Sequence, residues 1–247
     1  MKKLIQILLP IAAFLIFMGM IAADINQFSN ERHIAIVKRF KPDVTIQNME
    51  ANKNISLDLL ENKAEKLFSG DTLSTDNEGF ALVVFMDASV AKVKPNSLLI
   101  VNGEVGNTSK FMSTRINLEE GEIFLNVEPQ GSNDFEVATS RSLASVKGTD
   151  FGSRDDGYTW VNNGQVDVTA INSGQTISLF DKMFAQVDPN GNEIESGTLT
   201  DSDLQGLSEG YGEMENDLIQ KEIKFRFTDE NGQIREITID VFEQEDN

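Results

Sequence analysis

Cysteine is absent from the 247-residue sequence, and histidine occurs once, at His33. Without cysteine there are no disulfides, no thiolate nucleophiles and no thiolate-bound metals. One histidine is too few for a histidine-based triad or a multi-histidine metal site, and His33 reads as an ordinary surface residue. Basic residues are scarce as well: 21 Lys and Arg stand against 40 Asp and Glu, a formal net charge of -19. Nucleic acid is therefore not an expected partner, because holding a phosphate backbone depends on neutralising it with Lys and Arg. The nucleophile elbow G-x-S-x-G, the P-loop and H-E-x-x-H are all missing.

What is present suits a folded, exported protein. A hydrophobic content of 40% is enough for a real core in one large or two small domains. The acidity is lopsided: from Asp188 onward there are 17 acidic residues and four basic ones, so most of the net charge sits in the last quarter. A solvated, solubilising surface explains that bias without a ligand.

Met1-Lys2-Lys3 precedes an apolar run from Leu4 to Ala23 in which Gln6 is the one clearly polar residue. About 20 helical residues span about 30 Å, the thickness of a bilayer core. Lysines before the run and Asp24 after it orient the N-terminus to the cytoplasm and export the rest. Ala23 offers a cleavage point, but Ile21 departs from the A-x-A pattern and the run exceeds the usual signal length, which favours a retained anchor over a cleaved signal. No cysteine follows it, so it is not a lipoprotein signal.

Beyond Arg39, short apolar runs alternate and are separated by turn residues. Phe80 to Met86, Ser97 to Val101, Gly121 to Val127, Phe135 to Thr139, Tyr158 to Val161 and Gln165 to Ala170 read as strands, rich in β-branched and aromatic residues. Asn102-Gly103, Asn163-Gly164, Asn190-Gly191, Asn231-Gly232 and Asp155-Asp156-Gly157 read as hairpin turns. Helix is expected in two places, Ser56 to Phe68 and the end of the Asp203 to Lys221 segment, which Gly206, Gly210 and Gly212 otherwise make a polar linker. The chain closes with a hairpin in which Ile223, Phe225 and Phe227 answer Ile237, Ile239 and Val241. A lone hairpin is barely stable in water, so it is expected to pack on the main domain or on a partner.

Several patterns resemble chemistry and have a simpler reading. Ser89-Val90-Ala91-Lys92 matches S-x-x-K, but in a strand i and i+3 point to opposite faces. Asp188-Pro189-Asn190-Gly191-Asn192 resembles a calcium loop, yet its Gly falls at the fourth place and its twelfth residue is Leu199, so it reads as a turn. Asp150, Asp155 and Asp156 are either a cation site with backbone carbonyls or solvated turn acids. Trp160, flanked by Tyr158 and Val161, reads as core, with ligand stacking as the alternative.

Five elements in order resemble the FecR domain: Gly70-Asp71 with Thr75; Asp87 and Ser89; Leu118 and Gly121; Gly148-Thr149 with Phe151; and Gly164, Val166 and Val168. The resemblance covers roughly Ile34 to Val187. It implies an extracytoplasmic all-β domain, similar to a β-helix or stacked-strand solenoid, in membrane proteins that relay envelope signals. By that likeness Gly148 lets two rungs approach, Thr149 offers its hydroxyl to the local backbone and Phe151 returns the strand to the core. Family members that control iron uptake bind a sigma factor through a long cytoplasmic segment. Only Met1 to Lys3 precede the apolar run here, so anti-sigma activity is not expected to carry over.

The expected organisation is an anchor or signal at 1–23, a FecR-like solenoid-like β domain at 24–187, an acidic linker at 188–221 and a C-terminal hairpin and tail at 222–247. The expected function is a non-catalytic module, without metal or cofactor, that meets an envelope protein. A structural or glycan-binding envelope protein is the alternative. Contact residues would be Trp160, Asp155 and Asp156, and residues 4–23 would hold the membrane if uncleaved.

Overall fold

A computed structural model describes residues 33–40, 44–49, 52–57, 64–105, 112–131, 133–212, 219–228 and 234–243. The apolar run at residues 4–23 and the Asn231-Gly232 pair lie outside the described residues. Among the described residues no helix is long and apolar enough to cross a membrane.

The body opens with β1 (Ala35–Phe40), β2 (Val44–Asn48), β3 (Lys53–Ser56) and β4 (Glu65–Leu67). Next come β5 (Asp71–Thr75), β6 (Ala81–Phe85), β7 (Val90–Val93), β8 (Ser97–Val105), β9 (Met112–Glu120) and β10 (Glu122–Asn126). They are followed by β11 (Phe135–Ala138), β12 (Ser142–Val146), β13 (Asp150–Arg154), β14 (Tyr158–Asn163), β15 (Val166–Ala170), β16 (Thr176–Leu179), β17 (Met183–Val187) and β18 (Ile194–Thr198). A helix, α1 (Asp201–Ser208), precedes β19 (Ile219–Thr228) and β20 (Ile234–Glu243).

The expected all-β class holds. Eighteen strands form two nine-stranded sheets, ordered β18-β17-β14-β13-β10-β7-β6-β1-β4 and β16-β15-β12-β11-β9-β8-β5-β2-β3. The chain passes between the sheets in turn: β6–β7 to the first, β8–β9 to the second, β10 to the first, β11–β12 to the second, β13–β14 to the first. Neighbours pair antiparallel throughout except β9 with β11, which run parallel. Strands β19 and β20 form a separate two-stranded sheet in which Ile223 faces Ile239 and Phe225 faces Ile237.

Alternation decides which residues meet between the sheets. Ala81, Val83 and Phe85 of β6 point inward from the first sheet, and Val166, Val168 and Ala170 of β15 point inward from the second. The two inward sets share one core, and the Phe85 ring meets the Phe135 ring edge-on with centroids 5.4 Å apart. The first sheet differs from the second in being buried on both faces near its middle. Ile123 and Leu125 of β10 enter the shared core, while Phe124 between them joins a second cluster with Phe80, Trp160 and Tyr211.

Three local expectations need correction. Asn102-Gly103 is not a turn: both residues lie inside β8, opposite Arg115 and Thr114. Glycine is there for space, because a Cβ on Gly103 would come 3.1 Å from the Ile34 side chain and 3.2 Å from the Ser113 carbonyl. Asn163-Gly164 ends β14 in one sheet and leads to β15 in the other, so it is a crossing and not a hairpin. At the two ends of the Ser56 to Phe68 stretch, Ser56 closes β3 and Glu65–Leu67 form β4, where fully buried Leu67 stands opposite Ala35 on β1. Tertiary burial of an edge strand overrides the helical propensity of Glu65-Lys66-Leu67, while residues 58–63 lie outside the described residues.

The polar segment after Asp188 begins with β18, paired with β17, and α1 stands at the start of the Asp203 to Lys221 stretch, while residues 213–218 toward its end lie outside the described residues. Thr200 decides this. Its hydroxyl accepts from Asp203 N at 3.2 Å, and the Asp203 carboxylate accepts from Thr200 N at 2.8 Å, a reciprocal cap that starts α1 there.

Candidate functional site

The motif residues sit where the chain turns or crosses between sheets, and their polar side chains are committed to backbone or to one another within the fold. The Thr149 hydroxyl accepts from Gln165 N at 3.2 Å and donates to Gln165 O at 2.7 Å, stitching the β12–β13 crossing to the β14–β15 crossing. Thr75 repeats the device one layer away, accepting from Ser97 N at 3.0 Å and donating to Lys94 O at 2.7 Å. Ser97 repeats it again, accepting from Glu122 N at 3.2 Å. Neighbouring glycines leave room for these clamps: a Cβ on Gly164 would stand 2.8 Å from Thr149 Oγ1, and one on Gly121 would overlap Ser97 Oγ. Gly148, at φ +131°, brings the backbone against Pro129, whose Cα would lie 3.0 Å from a Cβ. Phe151 is fully buried in the shared core.

Asp71, following the Gly70 turn, is buried. Its carboxylate accepts from Phe68 N at 2.9 Å, Met49 N at 3.4 Å and the Asn48 side-chain amide at 3.1 Å. Asp87 closes the β6–β7 turn by accepting from Ser89 N at 3.0 Å, from the Ser89 hydroxyl at 2.9 Å and from the Gln130 amide at 2.7 Å. The Ser89 hydroxyl also accepts from Glu128 N at 3.1 Å. Ser89 is wholly buried with its proton committed to Asp87, while Lys92 extends over the Phe124 ring at 5.5 Å. The S-x-x-K pair is therefore a corner and an outer-face cation, not a nucleophile and its base.

The acidic turns are likewise internal fasteners. Asp188 accepts from Asn190, Asn192 and Glu193 N–H groups at 3.1, 2.6 and 2.8 Å, and these bonds hold its carboxyl below the usual range. Asp156 accepts from Tyr158 N at 3.1 Å and pairs with Arg154 at 2.9 Å, while Asp155 N donates to the Gly121 carbonyl. Trp160, at 1% exposure, is enclosed and does not present its ring to solvent.

The most built surface is the outer face of the first sheet. Lys92, Phe124, Gly152, Trp160, Phe184 and Gly197 stand opposite one another across β7, β10, β13, β14, β17 and β18. Each glycine of the row lies beneath a neighbouring ring: the Trp160 ring occupies the space over Gly152 and the Phe184 ring that over Gly197. Beside this row Tyr158 stacks on Phe184 at 5.5 Å, with the Arg154 guanidinium 4.6 Å from the Tyr158 ring centroid.

Residues 199–211 lie across this row as a strap. Leu199, Leu204 and Leu207 pack against the cluster half-buried, and Tyr211 is buried at 2% exposure with its ring 5.2 Å from that of Phe124. The Tyr211 hydroxyl donates to Glu122 Oε1 at 2.8 Å; Lys94 reaches the same oxygen at 2.6 Å and lies 4.4 Å from the Tyr211 ring centroid. Burial, then the Glu122 charge and hydrogen bond, push the Tyr211 hydroxyl far above its ordinary range, against a smaller opposing effect of Arg154. Tyr158 is also raised, chiefly by burial, with Arg154 opposing and Asp203 and Asp156 adding. Sequence reasoning missed the strap, although Leu204, Leu207 and Tyr211 recur at i, i+3 and i+7 behind the Thr200-x-x-Asp203 cap.

A family-wide sequence model described as FecR protein matches residues 71–167, from the first residue of β5 into β15. Two crystal structures of a protein from Parabacteroides distasonis ATCC 8503, described as an anti-sigma factor, are similar over 56% of this chain at 19% identity, with TM-scores of 0.46 and 0.47. The similar part covers 65% and 64% of those chains, so this chain spans less than two thirds of their length. No curated protein matches the sequence.

Proposed function

We propose that this chain, which carries a FecR domain over residues 71–167, is an exported, membrane-held and non-catalytic module that meets another envelope protein to sense or relay a signal. The family match is the observation that carries the reading. The apolar run from Leu4 to Ala23, with Lys2 and Lys3 before it and Asp24 after it, supports anchoring with the β body outside the cytoplasm. The hydroxyls of Thr75, Ser89, Ser97 and Thr149 are spent on backbone or on Asp87, which supports a scaffold in preference to an enzyme. Each successive pair of hairpins adds a layer to both sheets in the manner of a short solenoid and ends in open edges at β16 and β18, where a partner strand can add.

Site-specific photocrosslinking in intact cells tests the reading. Crosslinkers at exposed Ser178 on β16 and Glu195 on β18 are expected to yield a discrete adduct with an envelope protein. No adduct from either edge, with the protein recovered in the cytoplasmic fraction, would overturn it.

A further inference from the structure

The strap and the face beneath it are unequal in strength. Trp160 and Phe124 are held by central strands of a nine-stranded sheet, so the face exists independently of its cover. The strap is anchored less deeply: no residue of α1 is buried, Leu199, Leu204 and Leu207 are half-buried, and Tyr211 is its one buried residue. Eight residues are too few for a helix stable on its own. Gly206 lowers its helix propensity relative to alanine, and the last turn carries no basic residue to complement the helix dipole.

The charges are complementary. Lys92, Lys94 and Arg154 belong to the face, where Glu122 pairs with Lys94 and Asp156 with Arg154, so the face is far less acidic than a protein of net charge -19 as a whole, and Lys182 at its margin pairs with Asp201 of the strap at 2.6 Å. Asp201, Asp203 and Glu209 give the strap the opposite sign.

We propose that the outer face of the first sheet is a docking groove for an acidic amphipathic segment of a partner protein, and that residues 199–211 occupy it in cis in the resting chain. The bound strap defines what the groove accepts: leucines three residues apart, a tyrosine four residues further on whose hydroxyl reaches Glu122 beside Lys94, and carboxylates at the edges. A tethered ligand competes at a high effective concentration, so a partner segment binds only by displacing it. The proposal does not depend on membrane anchoring.

The test uses the full chain in detergent, a labelled peptide of sequence LTDSDLQGLSEGYG and the variant Tyr211→Ala, with amide hydrogen exchange of the unaltered chain as a second measurement. The peptide is expected to bind Tyr211→Ala about tenfold or more tightly than the unaltered chain, where the strap competes, and to lose that binding when Lys94→Glu is added. In the unaltered chain, amides of residues 204–211 are expected to exchange about 100-fold faster than those of β13 and β14. Equal peptide binding to both chains, no binding to a folded Tyr211→Ala chain, unfolding of the β body by Tyr211→Ala, or strap protection equal to that of β13 would each overturn the proposal.

Discussion

Trp160 lies over Gly152 on the neighbouring strand, so that a Cβ at position 152 would overlap its indole. The pair sets the shape of the outer face: the backbone of β13 is the floor on which the largest side chain of β14 rests. Gly152→Ala is expected to destabilise the fold by about 1 to 3 kcal/mol through overpacking, and less in a Trp160→Phe background. Denaturant midpoints for the four chains of this cycle measure it, and equal effects in both backgrounds would contradict the contact.

Thr149 clamps two chain crossings through one hydroxyl. Thr149→Val keeps the volume and removes both bonds to Gln165, at an expected cost of about 1 to 3 kcal/mol, whereas Thr149→Ser keeps the hydroxyl and most of the stability. If valine and serine cost the same, the hydroxyl is not what holds the corner. Thermal melts of the two variants decide it.

Asp71 gathers two backbone N–H groups and the Asn48 amide on a buried carboxylate. Asp71→Asn turns an acceptor oxygen into an amide donor facing other donors, and an expected loss of about 1 to 3 kcal/mol follows. Because these bonds tie β2 and the turn before β5 together, exchange of the Met49 and Phe68 amides is expected to accelerate more than that of β14.

The raised Tyr211 hydroxyl predicts a pH dependence. Strap docking favours the neutral phenol, so its contribution is complete below the ordinary tyrosine value near 10 and is lost as pH rises above it. Exchange in residues 204–211 is expected to accelerate above about pH 10, and in Tyr211→Phe this acceleration disappears. Persistence of the alkaline opening in the phenylalanine variant would contradict the assignment.

Much of the inner core was legible in the sequence, because alternation in Phe80 to Met86 and Gln165 to Ala170 marks one face of each strand directly. The outer face was not. Ile123-Phe124-Leu125 is an unbroken apolar run, a pattern that says both faces are buried but not what covers the second. Trp160 could be placed in a core from its neighbours, yet the core it joins is the outer one, completed by Tyr211 some fifty residues later. Asn102-Gly103 misled for a related reason. A glycine kept for close approach to Ile34 looks the same in sequence as one kept for a turn. The helix after Thr200 was recoverable from its cap, but three nearby glycines weighed against it, and contact with the aromatic row outweighs them in the fold.

The central claim is that the β body faces the outside of the cytoplasmic membrane, and a cysteine-free chain makes this directly measurable. Glu78 lies exposed in a turn, and a Glu78→Cys chain expressed in its own cells carries a single thiol. The account predicts that a membrane-impermeant maleimide labels this thiol in intact cells once the reagent can pass any outer layer, and that the labelled protein sediments with membranes. Labelling only after the cytoplasmic membrane is broken would contradict it.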